Sequence, residues 1–149
     1  GTNRGYCWRI GWESYMRLPL IHKLFGFGPD TFGILTWPFR QESLDIYGVF
    51  FESAHNEYFQ YLVTMGPFAT IAYILFLISR CARMMRFVKK QPWILAPLGA
   101  TVCYGAQAFV NINLPIATPV MWALLAVGLA MCRDVPEKLQ NSISKREQE

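Results

Sequence analysis

Two long stretches of this chain carry no charge. Tyr58 to Ser79 runs for twenty-two residues without Asp, Glu, Lys, Arg or His. Gln91 to Cys132 runs for forty-two, interrupted once by the polar Asn111-Ile112-Asn113-Leu114-Pro115. Roughly 20 apolar residues, at ~1.5 Å rise each, cover the hydrocarbon core of a bilayer. The pattern therefore predicts three transmembrane helices, at about 58–79, 92–110 and 116–132, the last at the short end of the spanning range. A buried helical hairpin of a soluble protein is the alternative. It would need far more polar surface than the remaining sequence supplies.

Ahead of these runs the periodicity is helical. Trp8, Trp12, Tyr15 and Met16 recur at helix spacing, with Arg9, Glu13 and Arg17 laddered four apart on another face. The spacing predicts an amphipathic helix over about 4–18, lying near a membrane interface where Trp and Tyr are favoured. Pro19 ends or kinks it and suits the first position of a second short helix. Gly26-Phe27-Gly28-Pro29 reads as a turn, and Asp30 or Thr31 can cap a further helical turn to about Trp37. Residues 38–52 show no clear period. The helix starting near Ser53 is expected to run through the membrane to about Arg86, with a kink at Gly66-Pro67. The fold class is thus an all-α membrane protein, with an aromatic-rich helical outer segment (1–57), three spans and a tail (133–149).

Composition agrees: 53% of the 149 residues are apolar and 16% charged, with a mean hydropathy of +0.21. Residues 1–57 hold twelve aromatics, too many for a disordered linker. Charge sets the orientation. Arg80, Arg83, Arg86, Lys89 and Lys90 crowd a short connection with no acidic residue, and such loops stay in the cytoplasm. Residues 1–57 and the Asn111–Pro115 turn are then outside, and the balanced tail inside. The net charge of +4 reflects this topology and gives no support for nucleic-acid binding. The four cysteines show no metal-ligand spacing and no disulfide framework. A chain that starts at Gly1, already outside and without a leader, reads as the C-terminal piece of a larger protein.

The polar cluster Ser53-Ala54-His55-Asn56-Glu57-Tyr58-Phe59-Gln60 sits at the mouth of the first uncharged run. With Ser53 as N-cap, His55 and Asn56 would occupy the first helical turn, at the positive end of the helix dipole. There an imidazole tends to stay neutral and able to accept a proton, and the same helix end suits a phosphate. A hydrogen-bonded interfacial histidine without chemistry is the plainer alternative. His22 lacks such a setting and reads as structural. Arg4, Arg9, Arg17 and Arg40 lie outside against the usual bias, and guanidinium groups there could grip a lipid-linked phosphate. Glu13 lies four residues from both Arg9 and Arg17 and favours ion pairing for them. Arg4 has no such local partner. No Walker motif, nucleophile elbow or HExxH is present, and no cofactor is implied.

Arg4-Gly5-Tyr6-Cys7-Trp8, then Pro19-Leu20-Ile21 with Phe25-Gly26-Phe27-Gly28-Pro29-Asp30-Thr31-Phe32, then Ala54-His55-Asn56-Glu57-Tyr58-Phe59-Gln60 with Gly66, together resemble the O-antigen ligase / O-antigen polymerase (Wzy-type) superfamily of polytopic membrane glycosyltransferases. The resemblance runs from Gly1 to about Cys132. It implies a bacterial inner-membrane enzyme of surface polysaccharide biosynthesis, using a glycan on a polyprenyl (undecaprenyl) diphosphate at the outer leaflet. The acceptor would be a hydroxyl of a lipid, glycan or protein, and no metal would be needed. His55 matches the histidine proposed to deprotonate the acceptor, and Arg4 the arginine expected to hold the diphosphate. Asn56, Gln60 and Asp30 complete the implied substrate-binding set. Partners would be the lipid-linked donor, the acceptor, membrane lipid and further N-terminal helices of the same protein, with no nucleic acid. The sequence departs from the family in offering three spans where about ten are usual, and in lacking a second outer-loop arginine. The segment alone is expected to be inactive. A non-catalytic membrane protein that binds or transports lipid-linked glycans is the competing reading, although few polar residues lie inside the spans.

Overall fold

The computed structural model describes residues 3–112 and 114–132, so the expected tail 133–149 lies outside the described residues. Those residues are helical throughout, with no strand among them. In chain order the helices are α1 (Arg4–Met16), α2 (Leu20–Phe25), α3 (Phe32–Leu35), α4 (Arg40–Tyr47), α5 (Glu57–Phe87), α6 (Leu95–Gln107) and α7 (Ala117–Met131). Short 3-10 turns at Trp37–Phe39 and Pro92–Ile94 lead into α4 and α6.

Helix α1 forms where the periodicity placed it, but its buried face differs from its aromatic stripe. Tyr6, Cys7, Ile10, Gly11 and Ser14 face inward, while Trp8, Trp12 and Met16 are exposed. Gly11 makes this possible. A Cβ there would lie 2.9 Å from Phe32 and 3.0 Å from Phe59, so only glycine lets α1 sit this close to α3 and α5. The unassigned stretch 38–52 contains α4, tied to α1 by a Tyr6–Ser43 hydroxyl bond of 2.9 Å. Tyr6, Ile10 and Phe39 form one small core there, backed by Phe51. A second core joins Phe32, Leu35, Ala54 and Val63.

Helix α5 breaks at Gly66-Pro67, where the kink was expected. Gly66 has φ 81 and ψ 169, a backbone region essentially restricted to glycine. Pro67 follows, and a proline forces its predecessor out of the helical region while itself suiting the start of a helix. The break is sharper than a proline kink. Glu57 and Tyr73 would be ~24 Å apart along a straight helix, more than the two side chains can bridge, yet they share a hydrogen bond of 2.8 Å. Tyr61 and Tyr73 rings also meet, with centroids 5.1 Å apart. The arm 57–65 therefore folds back over the start of the arm 67–87.

The third core lies among α5, α6 and α7, around Leu77, Met84, Ile94, Leu98, Met121 and Leu125. Of the described helices, α5 alone is long and apolar enough to cross a membrane, its best window having a mean hydropathy of 1.9. α6 and α7, with 13 and 15 residues, extend only ~20 and ~22 Å. The expected spans at 92–110 and 116–132 thus appear as shorter helices. The ends are clipped by Pro92 before α6, and by the Asn111–Pro115 region between the two helices.

Candidate functional site

Helix α5 begins three residues later than a Ser53 cap would have started it. Asn56 is the N-cap of α5, in extended conformation, and its Oδ1 accepts from the Phe59 N–H at 3.0 Å. This corrects the capping by Ser53. The amide of Asn56 reaches the third helical N–H directly, which is the geometry an N-cap requires. His55 consequently lies just outside the helix, in left-handed conformation at φ 50, and not in the first turn. Non-glycine residues rarely adopt positive φ, and the surrounding contacts hold it there. On one side the Ala54 carbonyl accepts from Trp8 Nε1 at 2.8 Å. On the other, the Ala54 N–H donates to Gln60 Oε1 at 3.0 Å. Asn56 and Gln60 thus shape the segment that presents His55.

The Trp8 bond ties α1 to this segment across 46 residues. Arg4 precedes Trp8 by one helical turn, which puts it on the same side of α1. It is half-buried and belongs to none of the ion pairs among the described residues. Arg9 is bound to Glu42 and, at 3.2 Å, to Glu13, while Arg17 lies 3.8 Å from Glu13. The Glu42 hydrogen bond does most to raise the Arg9 pKa; burial opposes it, and the Glu13 hydrogen bond and the charges of both carboxylates add smaller upward contributions. His22 stacks flat on Phe27 at 4.2 Å and meets the Gly26 carbonyl, a structural role.

The glycine turn docks on the broken helix. The Phe27 and Gly28 N–H groups donate to the Thr64 carbonyl at 2.8 and 3.0 Å, an oxygen released from the helix ladder by the break. Gly26 and Gly66 face each other's backbones. A Cβ on Gly26 would collide with Thr64 and Met65, and one on Gly66 with Leu24 and Phe25.

Between these parts lies a cavity of about 500 Å³ lined by Asp30, Ser53, Gln60, Tyr61, Tyr73 and Trp122, with five further residues. It brings together two of the expected site residues, Asp30 and Gln60, from positions 30 apart. Arg4, His55 and Asn56 are not in its wall. Among the described residues no Lys, Arg or His lines it. Aromatic faces with amide, hydroxyl and carboxylate groups suit an uncharged polyol or sugar ring rather than a phosphate.

Sequence reasoning treated Glu57 only as a member of the motif. In the structure it is 2% exposed and meets no arginine. Its two oxygens accept from Tyr73 Oη at 2.8 Å and Tyr104 Oη at 2.9 Å. Tyr104 in turn is 2.7 Å from Thr118 Oγ1. The Glu57 N–H donates to the Ala108 carbonyl at 2.8 Å. One buried carboxylate thereby joins α5, α6 and α7. The signal was two tyrosines inside otherwise uncharged apolar runs, where a phenol needs a partner.

No protein-family model, no curated protein and no solved structure matches this chain.

Proposed function

We propose that this chain carries the outer-face site of a membrane glycosyltransferase that moves a glycan from a polyprenyl diphosphate to a hydroxyl acceptor. The observation that supports the reading most is convergence. Three motifs scattered over the sequence, Arg4–Trp8, Gly26–Asp30 and Ala54–Gln60 with Gly66, are pinned to one another by the Trp8–Ala54 and Gly28–Thr64 bonds. Two of the three, Gly26–Asp30 and Ala54–Gln60, each contribute a wall residue to one cavity, Asp30 and Gln60.

The membrane setting is part of the proposal. Ile71, Leu75, Ile78 and Met85 on α5, Val102 on α6, Phe109 in the turn after it, and Val120 and Val127 on α7 are all exposed. An apolar surface of that extent suits lipid or further transmembrane helices. In this reading α6 and α7 complete their crossings with the turns that flank them, giving three spans. The basic 80–90 connection then lies in the cytoplasm and residues 1–57 lie outside, in the inner membrane of a bacterium.

The chemistry divides between charged and uncharged parts. Diphosphate is a good leaving group once its charge is neutralised, and Arg4, which joins no ion pair among the described residues, would supply the countercharge. His55, held at the mouth of α5, takes the proton of the attacking hydroxyl or assists the transfer. The sugar occupies the cavity at Asp30 and Gln60. In the full-length protein, His55→Ala and Arg4→Ala should each abolish the surface glycan, with the lipid-linked donor accumulating and protein levels unchanged. Normal product from both variants removes the assignment.

A further inference from the structure

Tyr73 belongs both to the cavity wall and to the buried carboxylate network. We propose that Tyr73 receives the proton of the acceptor hydroxyl and passes its own to Glu57, with Glu57 acting as the positioning residue and proton store behind it. This rests on the glycan-transfer reading above and names a proton path that His55, outside the cavity wall, does not provide there.

Three features favour it. Both Glu57 oxygens are within hydrogen-bond distance of phenol oxygens, Tyr73 Oη at 2.8 Å and Tyr104 Oη at 2.9 Å, so a proton can pass directly between Tyr73 and the carboxyl group. No Lys, Arg or His pairs with it among the described residues. The titratable groups that interact with it are phenols: Tyr58 and Tyr73 from α5 and Tyr104 from α6, while α7 contributes the hydroxyl of Thr118 to Tyr104. Lastly, Glu57 opens α5, where the helix dipole favours a negative charge. A buried carboxyl group held at both oxygens, one of them by a tyrosine of the cavity wall, is positioned to exchange a proton with that tyrosine.

The step balances. The acceptor oxygen forms its bond to the anomeric carbon as the bond from that carbon to the diphosphate oxygen breaks, the electron pair leaving with the diphosphate. The acceptor proton moves to Tyr73 Oη while the Tyr73 proton moves to Glu57 Oε1. Glu57 ends neutral and later releases its proton to solvent or to the departing diphosphate.

Tyr104 supplies the control. It donates to the same carboxylate as Tyr73 but does not line the cavity. A purely structural network would make Tyr73→Phe and Tyr104→Phe equivalent. The experiment uses the full-length protein in liposomes with a lipid-linked donor and a soluble acceptor, measuring kcat and KM alongside thermal midpoints. Tyr73→Phe and Glu57→Gln should lower kcat by about 10²–10⁴-fold, the usual range for general acid–base catalysis, with acceptor KM within a few-fold. Tyr104→Phe should stay within about tenfold of the unaltered protein while losing as much thermal stability as Tyr73→Phe. Equal kcat for the two tyrosine variants, or an unimpaired Tyr73→Phe, overturns the proton path. If His55→Ala abolishes transfer while Tyr73→Phe does not, the glycan-transfer reading survives alone. If the unaltered protein transfers no glycan, both fall.

Discussion

Replacing Gly26 or Gly66 by alanine attacks the contact that joins the outer segment to the broken helix. Both lie at positive φ, 74 and 81, with ψ near 180, where a side chain costs about 1–3 kcal/mol. Each new Cβ would also overlap the opposing backbone, at Thr64 for Gly26 and at Leu24 for Gly66. Relieving the overlap means parting the two segments and losing the Phe27 and Gly28 bonds to the Thr64 carbonyl, about 1 kcal/mol each. Each single variant should therefore lose about 3–5 kcal/mol. The same two bonds are lost in either case, so the double variant should fall short of the sum by about 2 kcal/mol. Gly48 separates the two causes. It has φ 70 but open space around its Cα, so Gly48→Ala should cost only about 1–2 kcal/mol. The assay is denaturant unfolding in detergent micelles, followed by tryptophan fluorescence. The reasoning fails if Gly26→Ala and Gly66→Ala cost no more than Gly48→Ala, or if the double variant is strictly additive.

Two further outcomes concern the outer segment. Asn56→Ala removes the side chain that accepts from Phe59 N–H and should cost about 1 kcal/mol, with faster amide exchange confined to the first turn of α5; uniform exchange change across the chain would contradict the cap. Cys7 is fully buried, and burial pushes its thiol up from 9.0 to about 11, a backbone hydrogen bond offsetting part of this. A raised thiol pKa favours the folded state below pH 9. That contribution, on the order of 2 kcal/mol, is lost as pH rises from 9 through 11. Cys7→Ala should flatten that part of the stability–pH curve relative to the unaltered protein, and an unchanged slope would show that the thiol does not titrate with folding.

The legible part of the fold came from local rules. The period of α1, the proline after it, the glycine turn and the break at Gly66-Pro67 each depend on residues within a few positions of one another. The stretch 38–52 was opaque because α4 forms against Tyr6, far away in sequence, with Ser43 fixed by a hydroxyl rather than by an apolar repeat. The same distinction explains the capping residue. Ser53 and Asn56 are both good caps by type, and the choice fell to Asn56 because Trp8 and Gln60 fix the Ala54 peptide between them.

The candidate site divides along this line. From sequence alone came an uncharged run long enough to cross a bilayer, a histidine at its mouth, and an arginine without a local acidic partner. Periodicity, charge bias and resemblance see only what neighbours in sequence determine. The fold-back at Gly66 was decided by tertiary structure, and with it the cavity between Asp30 and Gln60 and the burial of Glu57. Glu57 meets Tyr104 across 47 residues, and Trp8 meets Ala54 across 46. Such pairs depend on how helices turn against one another after they form. A single glycine backbone angle therefore decides whether Glu57 meets solvent or the phenols of Tyr73 and Tyr104.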